Sequence, residues 1–403
     1  MEVDKEKRSM KIKRGIAALC AGALLCGCAK STDSSRFTGE GNSQPDYQSN
    51  LNMISPQAYS TVEDLSLEKG TYISIIGKES DSSYWKMVSA GAEQAAEDLN
   101  QKLGYSGKDK VKVVYSAPEK TEDIDEQVNI LDEELARYPD AIGIACIDEE
   151  AYSTQFDQAE ENGIPLVALD SSNSYRNILC ISKTNNQEAA ATGMSQLCDE
   201  IGNQGKILVL GNNSNSSCIK ERMEGIQNEL ASHPEVQLAD PLYYDKIDDL
   251  KKSMQEEDPT STEGTESTEN AENTADSESA EIADITDAEV LDAYLDKNSD
   301  IKGIYALDEA SSKWVQSALD EGDREENPVL ISFDAGKDQL KALKDGKIYG
   351  LVVQNPFGMG YAAVISAARA ILGIGNEAVV DTGYVWVTKE NMETESIENL
   401  LYE

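Results

Sequence analysis

The sequence predicts an α/β protein built from two doubly wound lobes, each with a parallel sheet and helices on both of its faces. Two observations support this prediction. From Thr71 onward, short apolar runs alternate with segments of helical period, the order of elements found in parallel sheets with right-handed crossovers. The 403-residue chain holds about ten such runs, which suits two lobes better than one sheet.

The predicted strands are short runs rich in Val, Ile and Leu, bounded by polar or turn-forming residues. In chain order they are Tyr72–Ile76, Val111–Tyr115, Ala141–Cys146, Leu166–Leu169, Ile178–Ile181, Lys206–Leu210, Gly303–Ala306, Val329–Phe333, Ile348–Val353 and Tyr384–Val387. The segments between them repeat apolar residues every three or four positions and are predicted to be helices. These are Tyr84–Leu103, Thr121–Tyr138, Ala151–Asn162, Asn186–Ile201, Ser217–Ala231, Ala288–Lys297, Ser311–Asp320, Lys337–Lys344 and Gly358–Leu372.

The N-terminal segment has a basic start and then an apolar run, Ile16–Leu25, that is too short to span a bilayer. Leu25-Cys26-Gly27-Cys28 follows, and this layout resembles a bacterial lipoprotein signal. The resemblance implies that Met1–Gly27 is a signal peptide and that Cys28 is the lipidated first residue of the mature protein. The protein would then be extracytoplasmic and anchored to the outer face of the cell membrane. An ordinary cleaved signal with an incidental Cys is the alternative.

Two segments have the composition of disordered chain. Residues 28–70 are rich in Ser, Asn, Gly and Gln and are predicted to carry the lipid anchor and form a flexible tether. Residues 253–287 contain no Lys or Arg and are dominated by Glu, Asp, Ser and Thr. They are predicted to be a disordered acidic insertion within the C-terminal lobe.

Composition excludes several classes of function. A net charge of −40 argues against nucleic-acid binding, because phosphate backbones need a basic surface. His233 is the only histidine, so a histidine triad or a histidine metal cluster is nearly excluded, and no metal or cofactor is predicted. The cysteines after position 28 are widely spaced and are expected to be buried thiols rather than disulfides. They are Cys146, Cys180, Cys198 and Cys218.

Enzyme motifs are weak or missing. Gly358-Met-Gly360 follows a predicted strand and mimics a dinucleotide-binding fingerprint, but glycines that allow helix packing are the simpler interpretation. There is no Gly-x-Ser-x-Gly elbow and no P-loop. Acidic pairs abound, yet nothing separates a glycosidase pair from solvated surface. The sequence therefore predicts a protein that is not an enzyme.

Polar side chains follow several predicted strands, at the sheet edge where open α/β folds bind ligands. Carboxylates accept paired hydroxyl donors and aromatic rings stack on the C–H face of a sugar, so this set suits a sugar or polyol. A single Asp at a strand end can instead cap the next helix, but several in both halves favour a shared cleft. The strand-end residues are Lys78, Asp170, Ser171, Asp308, Glu309, Asp334, Gln354 and Asn355, with Ser82, Ser83, Tyr84 and Trp85 beyond the first strand.

Six segments occur in the order found in type I periplasmic binding proteins, and the chain resembles the ribose and galactose branch that supplies sugar ABC transporters. The similarity covers about Thr71 to Thr388, apart from the acidic insertion. The segments are Tyr72-Ile-Ser-Ile-Ile-Gly-Lys78, Pro165-Leu-Val-Ala-Leu-Asp170, Lys220-Glu-Arg-Met-Glu-Gly225, Gly303-Ile-Tyr-Ala-Leu-Asp308-Glu309, Leu330-Ile-Ser-Phe-Asp334 and Val352-Val-Gln-Asn-Pro356.

The resemblance implies a set of ligand-binding residues. Lys220 falls where sugar binders usually place an Arg, Asp308 where they place an Asn, and Ser171 replaces a frequent Arg. The cleft is then short of guanidinium groups and rich in carboxylates, which favours an amino sugar or cationic polyol over a plain sugar. Lys78 is similar to a lysine of autoinducer-2 receptors. The implied site is Lys78, Ser82, Tyr84, Trp85, Asp170, Ser171, Lys220, Asp308, Asp334 and Gln354.

The family also implies a three-strand hinge between the lobes. The crossings are expected near Ser182–Asn185, Gln354–Asn355 and Glu377–Asp381. The N-terminal lobe would then comprise residues 71–183 with 355–379, and the C-terminal lobe residues 184–354 with 380–403. A ligand bound between the lobes favours the closed form.

The function predicted from the sequence is that of a monomeric, lipid-anchored solute-binding protein. It would deliver a small polar ligand, expected to be a sugar, to the permease of an ABC importer. Its partners would be this ligand, the permease and, through the lipid, the membrane, with no nucleic acid. The alternative is a ligand sensor for a sugar, amino sugar or autoinducer-2, which presents its closed form to a membrane signalling partner.

Overall fold

The computed structural model describes residues 45–257, 285–324 and 326–402. The predicted signal peptide, Cys28 and most of the predicted acidic insertion lie outside the described residues. Within these ranges, no helix has the length and apolar character needed to cross a membrane. The described residues form two sheets flanked by helices.

The first sheet has six strands in the order β12-β5-β4-β3-β1-β2, and every neighbouring pair is parallel. Its central strands are buried along their whole length, as expected for a parallel sheet covered on both faces. The strands are β1 (Tyr72–Ile76), β2 (Lys112–Ser116), β3 (Ala141–Ile144), β4 (Leu166–Leu169), β5 (Ile178–Lys183) and β12 (Val379–Asp381).

The second sheet has seven strands, in the order β13-β11-β10-β9-β6-β7 with β8 paired to β6. All of its pairs are parallel except β11 with β13. The strands are β6 (Gly205–Gly211), β7 (Val236–Leu238), β8 (Leu242–Tyr243), β9 (Ile301–Ala306), β10 (Val329–Phe333), β11 (Gly350–Gln354) and β13 (Tyr384–Thr388).

Helices connect most of these strands. They are α1 (Gln48–Asn52), α2 (Ser83–Leu103), α3 (Ile124–Leu135), α4 (Ser153–Glu161), α5 (Asn186–Glu200), α6 (Ser217–Leu230), α7 (Ile247–Glu257), α8 (Asp287–Lys297), α9 (Glu309–Glu321), α10 (Lys337–Asp345), α11 (Pro356–Ile371) and α12 (Glu395–Glu398). The predicted fold class, two α/β lobes with parallel sheets, is confirmed. Sequence patterns missed α7, whose last residues fall within the segment 253–287 that was predicted to be disordered. They also missed β7, β8, β12, α1 and α12, which are short, because two to five residues show no clear period.

The chain passes between the two sheets three times. The first passage lies at residues 184–185 and the second at Asn355, close to the predicted positions. The third lies at Thr382–Gly383, later than the predicted Glu377–Asp381, because β12 pairs in parallel with β5 and so belongs to the first sheet. Gly383 has a φ of 78°, a backbone conformation that glycine adopts without strain, in the two-residue connection between β12 and β13.

Residues 47–59 pack over this hinge, and we call them the hinge strap. Ser55 pairs with Asp381, and its N–H donates to the Asp381 carbonyl at 2.7 Å while the Asp381 N–H donates back at 2.9 Å. Leu51, Ile54 and Tyr59 are buried in the main core. The prediction of a flexible tether up to residue 70 is therefore wrong for the described part, because these few apolar side chains find a place in the core.

Glycines allow helices α2 and α11 to touch. A Cβ at Gly91 would lie 1.9 Å from the carbonyl oxygen of Phe357, and a Cβ at Gly360 would lie 1.9 Å from that of Val88. Gly358 belongs to the same helix, whose first turn is capped by Asn355. This close packing explains the Gly358-Met-Gly360 pattern without a dinucleotide.

Candidate functional site

A cavity of about 1230 Å³ lies between the lobes, at the carboxyl ends of strands from both sheets. Its position follows from the fold, since the loops after parallel strands all open to one edge of their sheet. Eight of the predicted site residues line it: Lys78, Ser82, Tyr84, Trp85, Asp170, Asp308, Asp334 and Gln354.

On the first lobe, Asp170 follows β4 and binds two neighbours. The Tyr84 hydroxyl donates to Asp170 Oδ1 at 2.8 Å, and Lys78 Nζ lies 3.3 Å from Asp170 Oδ2. All three side chains are buried. Burial alone lowers the pKa of Lys78, but Cys218, Asp170 and Glu122 outweigh it and raise that pKa above its ordinary value. Lys78 is therefore a fixed cation beside Asp170.

The start of α2 brings aromatic rings to the same wall. Ser82 caps the helix, accepting the Trp85 N–H at 3.4 Å. Tyr84 and Trp85 pack edge to face with centroids 5.1 Å apart. This wall therefore combines apolar ring surface with a carboxylate, the combination that the sequence predicts for a sugar site.

On the second lobe, Asp334 follows β10 and accepts hydrogen bonds from the neighbouring elements β11 and α9. Gln354 Nε2 donates to Asp334 Oδ1 at 2.7 Å, and the Glu309 N–H donates to Oδ2 at 3.1 Å. Gln354 in turn accepts the Thr184 hydroxyl at 2.9 Å, which links the site to the first hinge passage. Burial raises the pKa of Asp334, while Arg222 opposes the rise.

Asp170 and Asp334 share an unusual backbone. Their φ values are 59° and 74°, in the left-handed region that Asp and Asn tolerate better than other non-glycine residues. Each directly follows a buried strand, β4 in one sheet and β10 in the other. The two lobes therefore present a carboxylate to the cavity from the same kind of strand-end turn.

Arg222, not Lys220, is the cation that α6 contributes to the cavity. Lys220 does not line it; its side chain is 47% exposed and pairs with Glu149 at 2.6 Å. Arg222 is only 2% exposed and lines the cavity, with its guanidinium carbon 3.9 Å from the centroid of the Phe333 ring. Residues two positions apart lie on opposite faces of a helix. The sequence comparison was offset by two residues and therefore selected Lys220 on the exposed face of α6 instead of Arg222 on the cavity face.

Arg222 is also fixed by hydrogen bonds. Its Nε donates to Asn186 Oδ1 at 2.9 Å, and its Nη1 donates to the Leu307 carbonyl. The expectation that the cleft lacks guanidinium groups is therefore wrong. The sequence segment Lys220-Glu-Arg222 already contained the correct residue.

Ser171 and Asp308 differ from their predicted roles. Ser171 is buried outside the cavity lining and donates its hydroxyl to the Cys146 carbonyl at 2.6 Å. Asp308 lines the cavity, but Oδ1 accepts the Ser311 N–H at 2.7 Å and Oδ2 accepts the Asn212 N–H at 2.8 Å. Both oxygens thus accept backbone N–H groups, one as the cap of α9 and the other from the loop after β6, which makes Asp308 mainly a structural residue.

Several cavity residues were missed by sequence reasoning. Asn213 Nδ2 donates to Glu122 Oε2 at 2.8 Å, and Lys78 Nζ donates to Ser216 Oγ at 3.4 Å, so polar groups meet across the lobes. Asn213 comes shortly after β6, and that strand-end position was the signal that could have identified it. Burial and then Asp334 raise the pKa of Glu309, at the start of α9, to about 7.

The four cysteines at positions 146, 180, 198 and 218 are free and buried, as predicted. Cys218 lines the cavity. Among the residues that the structure describes, no group of three or more His, Cys, Asp or Glu is arranged to hold a metal ion.

Comparison with known proteins identifies the family. A profile of the periplasmic binding protein domain matches residues 73–375. The ribose import binding protein of Bacillus subtilis is 22% identical over 251 residues, which are 62% of this chain and 69% of that protein. A xylitol-binding protein of Mycolicibacterium smegmatis is 23% identical over 284 residues, 70% of each chain.

Solved structures agree with this. A carbohydrate transporter solute-binding protein from Agrobacterium radiobacter, in complex with D-arabinose, has a TM-score of 0.64 and 25% identity, covering 82% of this chain and 98% of its own. A solute-binding protein from Agrobacterium vitis with bound D-fucose has a TM-score of 0.64 and 23% identity, covering 82% and 100%. Its relatives are sugar-binding transport proteins and not enzymes. With its two parallel-sheet lobes and interlobe cavity, the chain belongs to the periplasmic binding protein family and has the type I fold of sugar-binding transport proteins.

Proposed function

We propose that this protein is an extracytoplasmic solute-binding lipoprotein that captures a sugar or related polyol between its lobes and delivers it to an ABC importer. The observation that carries the proposal is that Asp170 and Asp334 line the same cavity. One carboxylate comes from each lobe, and both border a cavity that Tyr84 and Trp85 also line. Relatives that bind ribose, xylitol, D-arabinose and D-fucose support the ligand class.

The charges around the cavity favour an uncharged ligand. Asp170 has the Lys78 ammonium 3.3 Å away, and Arg222 stabilises the charged form of Asp334. Asp170 therefore has a counter-charge within the protein, and Arg222 partly offsets the burial of Asp334. A neutral sugar or polyol needs no further counter-charge. An amino sugar or cationic polyol is less favoured than it would be in a cleft without guanidinium groups, because Arg222 lines the cavity.

Closure would follow from contacts made to both lobes at once. A ligand that accepts or donates hydrogen bonds at both Asp170 and Asp334 binds fully only when the lobes approach. The three passages at residues 184–185, 355 and 382–383 are the places where the backbone would bend. The closed monomer would then present one surface, formed by both lobes, to the permease.

The membrane anchor rests on the sequence pattern Leu25–Cys28. A lipid at Cys28 would keep the binding protein beside its transporter. The test compares wild-type protein with Cys28→Ala expressed in a bacterium that processes lipoproteins. Wild-type protein is expected in the membrane fraction with acyl chains detected by mass spectrometry, and Cys28→Ala in the soluble fraction. Equal partitioning of the two would contradict lipidation.

The ligand class is tested by a thermal-shift screen of the body from Pro45, since ligand binding raises the melting temperature. The panel comprises D-ribose, D-arabinose, D-fucose, D-tagatose, xylitol and glucosamine. We expect at least one uncharged sugar or polyol of the panel to raise the melting temperature of the wild type and to leave that of Asp170→Asn unchanged. No shift across the panel would contradict the sugar proposal. Uptake lost on deletion of the gene supports transport, whereas unchanged uptake with a lost signalling response would favour the sensor alternative.

A further inference from the structure

The segment that follows β13 returns to the cavity. After β13 ends at Thr388, the short helix α12 leads to Leu400 and Tyr402. Both are buried, and Tyr402 is only 1% exposed. A buried Tyr hydroxyl needs hydrogen-bond partners, and those of Tyr402 lie beside the ligand cavity.

The Tyr402 hydroxyl bonds directly to the strand-end turn of the second lobe. Its oxygen accepts the Ala335 N–H at 3.0 Å and donates to Asp334 Oδ1 at 3.2 Å. The donor and acceptor capacities of the phenol are thus both used on two consecutive residues. Asp334 lines the cavity, whereas Tyr402 does not.

The Tyr402 ring reaches the other lobe. It packs edge to face on Tyr84, with centroids 5.8 Å apart and planes inclined at 78°. Tyr84 in turn donates to Asp170. Tyr402 therefore contacts residues on both sides of the cavity. Its hydroxyl donates to Asp334, and its ring packs on Tyr84, which in turn donates to Asp170.

We propose that Tyr402 is a positioning residue of the ligand site, which fixes the Asp334 carboxylate of one lobe and the Tyr84 ring of the other for contact with the ligand. This inference rests on the proposed function. Tyr402 acts through its two neighbours and does not touch the ligand. Loss of the hydroxyl would leave Gln354 as the one side-chain donor to Asp334 among the described residues. Loss of the ring would free Tyr84 to turn.

Tyr402→Phe separates these two effects, because it removes the hydroxyl and keeps the ring. Tyr361→Phe is the matched control. Tyr361 is also buried and donates to a carboxylate, Asp98 Oδ2, at 2.9 Å, but it lies on α11 outside the cavity lining. Both variants lose one charge-assisted hydrogen bond, so a general loss of stability affects both.

The first measurement needs no ligand. The pKa of Asp334 is followed through its side-chain ¹³C carboxyl resonance. Because a donor to the charged form lowers a carboxyl pKa, Tyr402→Phe is expected to raise that of Asp334 and Tyr361→Phe to leave it unchanged. In wild-type protein the ¹³Cζ resonance of Tyr402 should titrate with Asp334. An unmoved Asp334 pKa, or a Tyr402 resonance that ignores Asp334, would overturn the proposal.

The second measurement is affinity for the sugar that gives the largest thermal shift in the panel above. Because Tyr402→Phe removes a hydrogen bond to a charged group, it should weaken binding by roughly tenfold or more. Tyr361→Phe should bind as wild type does. Unchanged affinity in Tyr402→Phe would show that the contact is purely structural. If no sugar binds wild-type protein, the proposed function fails, while the titration of Asp334 still decides the role of Tyr402.

Discussion

Asn50 and Asn355 exchange two hydrogen bonds although they are 305 positions apart in the chain. Asn50 Nδ2 donates to Asn355 Oδ1 at 3.1 Å, and Asn355 Nδ2 donates to the Asn50 carbonyl at 2.8 Å. Asn355 Nδ2 also donates to the Thr382 carbonyl at 2.9 Å. One buried amide thus joins the hinge strap to the second and third passages between the lobes.

Asn50→Ala is expected to destabilise the protein. It removes a donor from a buried amide pair, which typically costs about 1–3 kcal/mol. Thermal unfolding should show a melting temperature several degrees below wild type. Gln48→Ala on the same helix is the control, because its hydrogen bond to Asn52 is exposed. Equal melting temperatures for Asn50→Ala and Gln48→Ala would show that the Asn50–Asn355 hydrogen bond contributes nothing measurable to stability.

Asp170→Asn and Asp334→Asn should each abolish ligand binding while the fold persists. Asn keeps the size of the side chain and tolerates the left-handed backbone, whereas Ala would add strain at φ values of 59° and 74°. Calorimetry with the sugar found by the screen measures the loss, expected to exceed about a hundredfold. Asp320→Asn, a surface carboxylate paired with Lys347, is the control. Wild-type affinity in both cavity variants would refute the site.

Arg222→Lys and Lys220→Arg form a matched pair on one helix. Lys cannot reproduce the planar stacking of Arg222 on Phe333 or its hydrogen bonds to Asn186 and Leu307. We expect Arg222→Lys to lose roughly tenfold in ligand affinity and about 1–3 kcal/mol of stability. Lys220→Arg should change neither, since an exposed ion pair contributes little. Calorimetry measures the affinities and urea unfolding the stabilities. A larger loss in Lys220→Arg than in Arg222→Lys would indicate that Lys220, not Arg222, belongs to the ligand site.

Glu309→Gln should change how stability depends on pH. With a folded pKa of about 7 against an ordinary 4.5, wild-type Glu309 keeps its proton over this range while the unfolded chain loses it. The free energy of unfolding therefore falls as the pH rises towards 7. At about pH 8 the variant should be more stable by on the order of 1 kcal/mol after solvent screening, and at about pH 4 the two should match. Urea unfolding at both pH values measures this difference in stability. Glu321→Gln, at an exposed position, is the control and should not change the pH dependence.

The parts of the site that could be predicted are those with a local signal. Asp170 and Asp334 each follow an apolar run directly, and parallel strands bring such positions to one edge. Arg222 was missed because a family position was matched two residues away, and only the phase of α6 decides which side chain faces inward. Asp308 was assigned to the ligand because a strand-end carboxylate looks the same in sequence whether it caps a helix or faces a cleft.

The remaining errors concern contacts between distant segments. Tyr402 meets Asp334 and Tyr84 through tertiary packing, which leaves no periodic pattern near residue 402. Leu51 and Ile54 are isolated apolar residues in a polar stretch, so composition predicted a tether where the core accepts them. The fold class survived these errors because it depends on the alternation of many strands and helices.

The position of the hinge strap determines how a tether attached to it would affect the movement of the lobes. The chain enters the described body beside the passages at Asn355 and Thr382, close to the axis about which the lobes would turn. A point near a rotation axis moves little, so a surface or dye linked to the hinge strap itself would hold the protein near that axis and leave both lobes free to move. Reporters of closure belong instead on exposed positions such as Tyr138 and Tyr349, one beside each sheet.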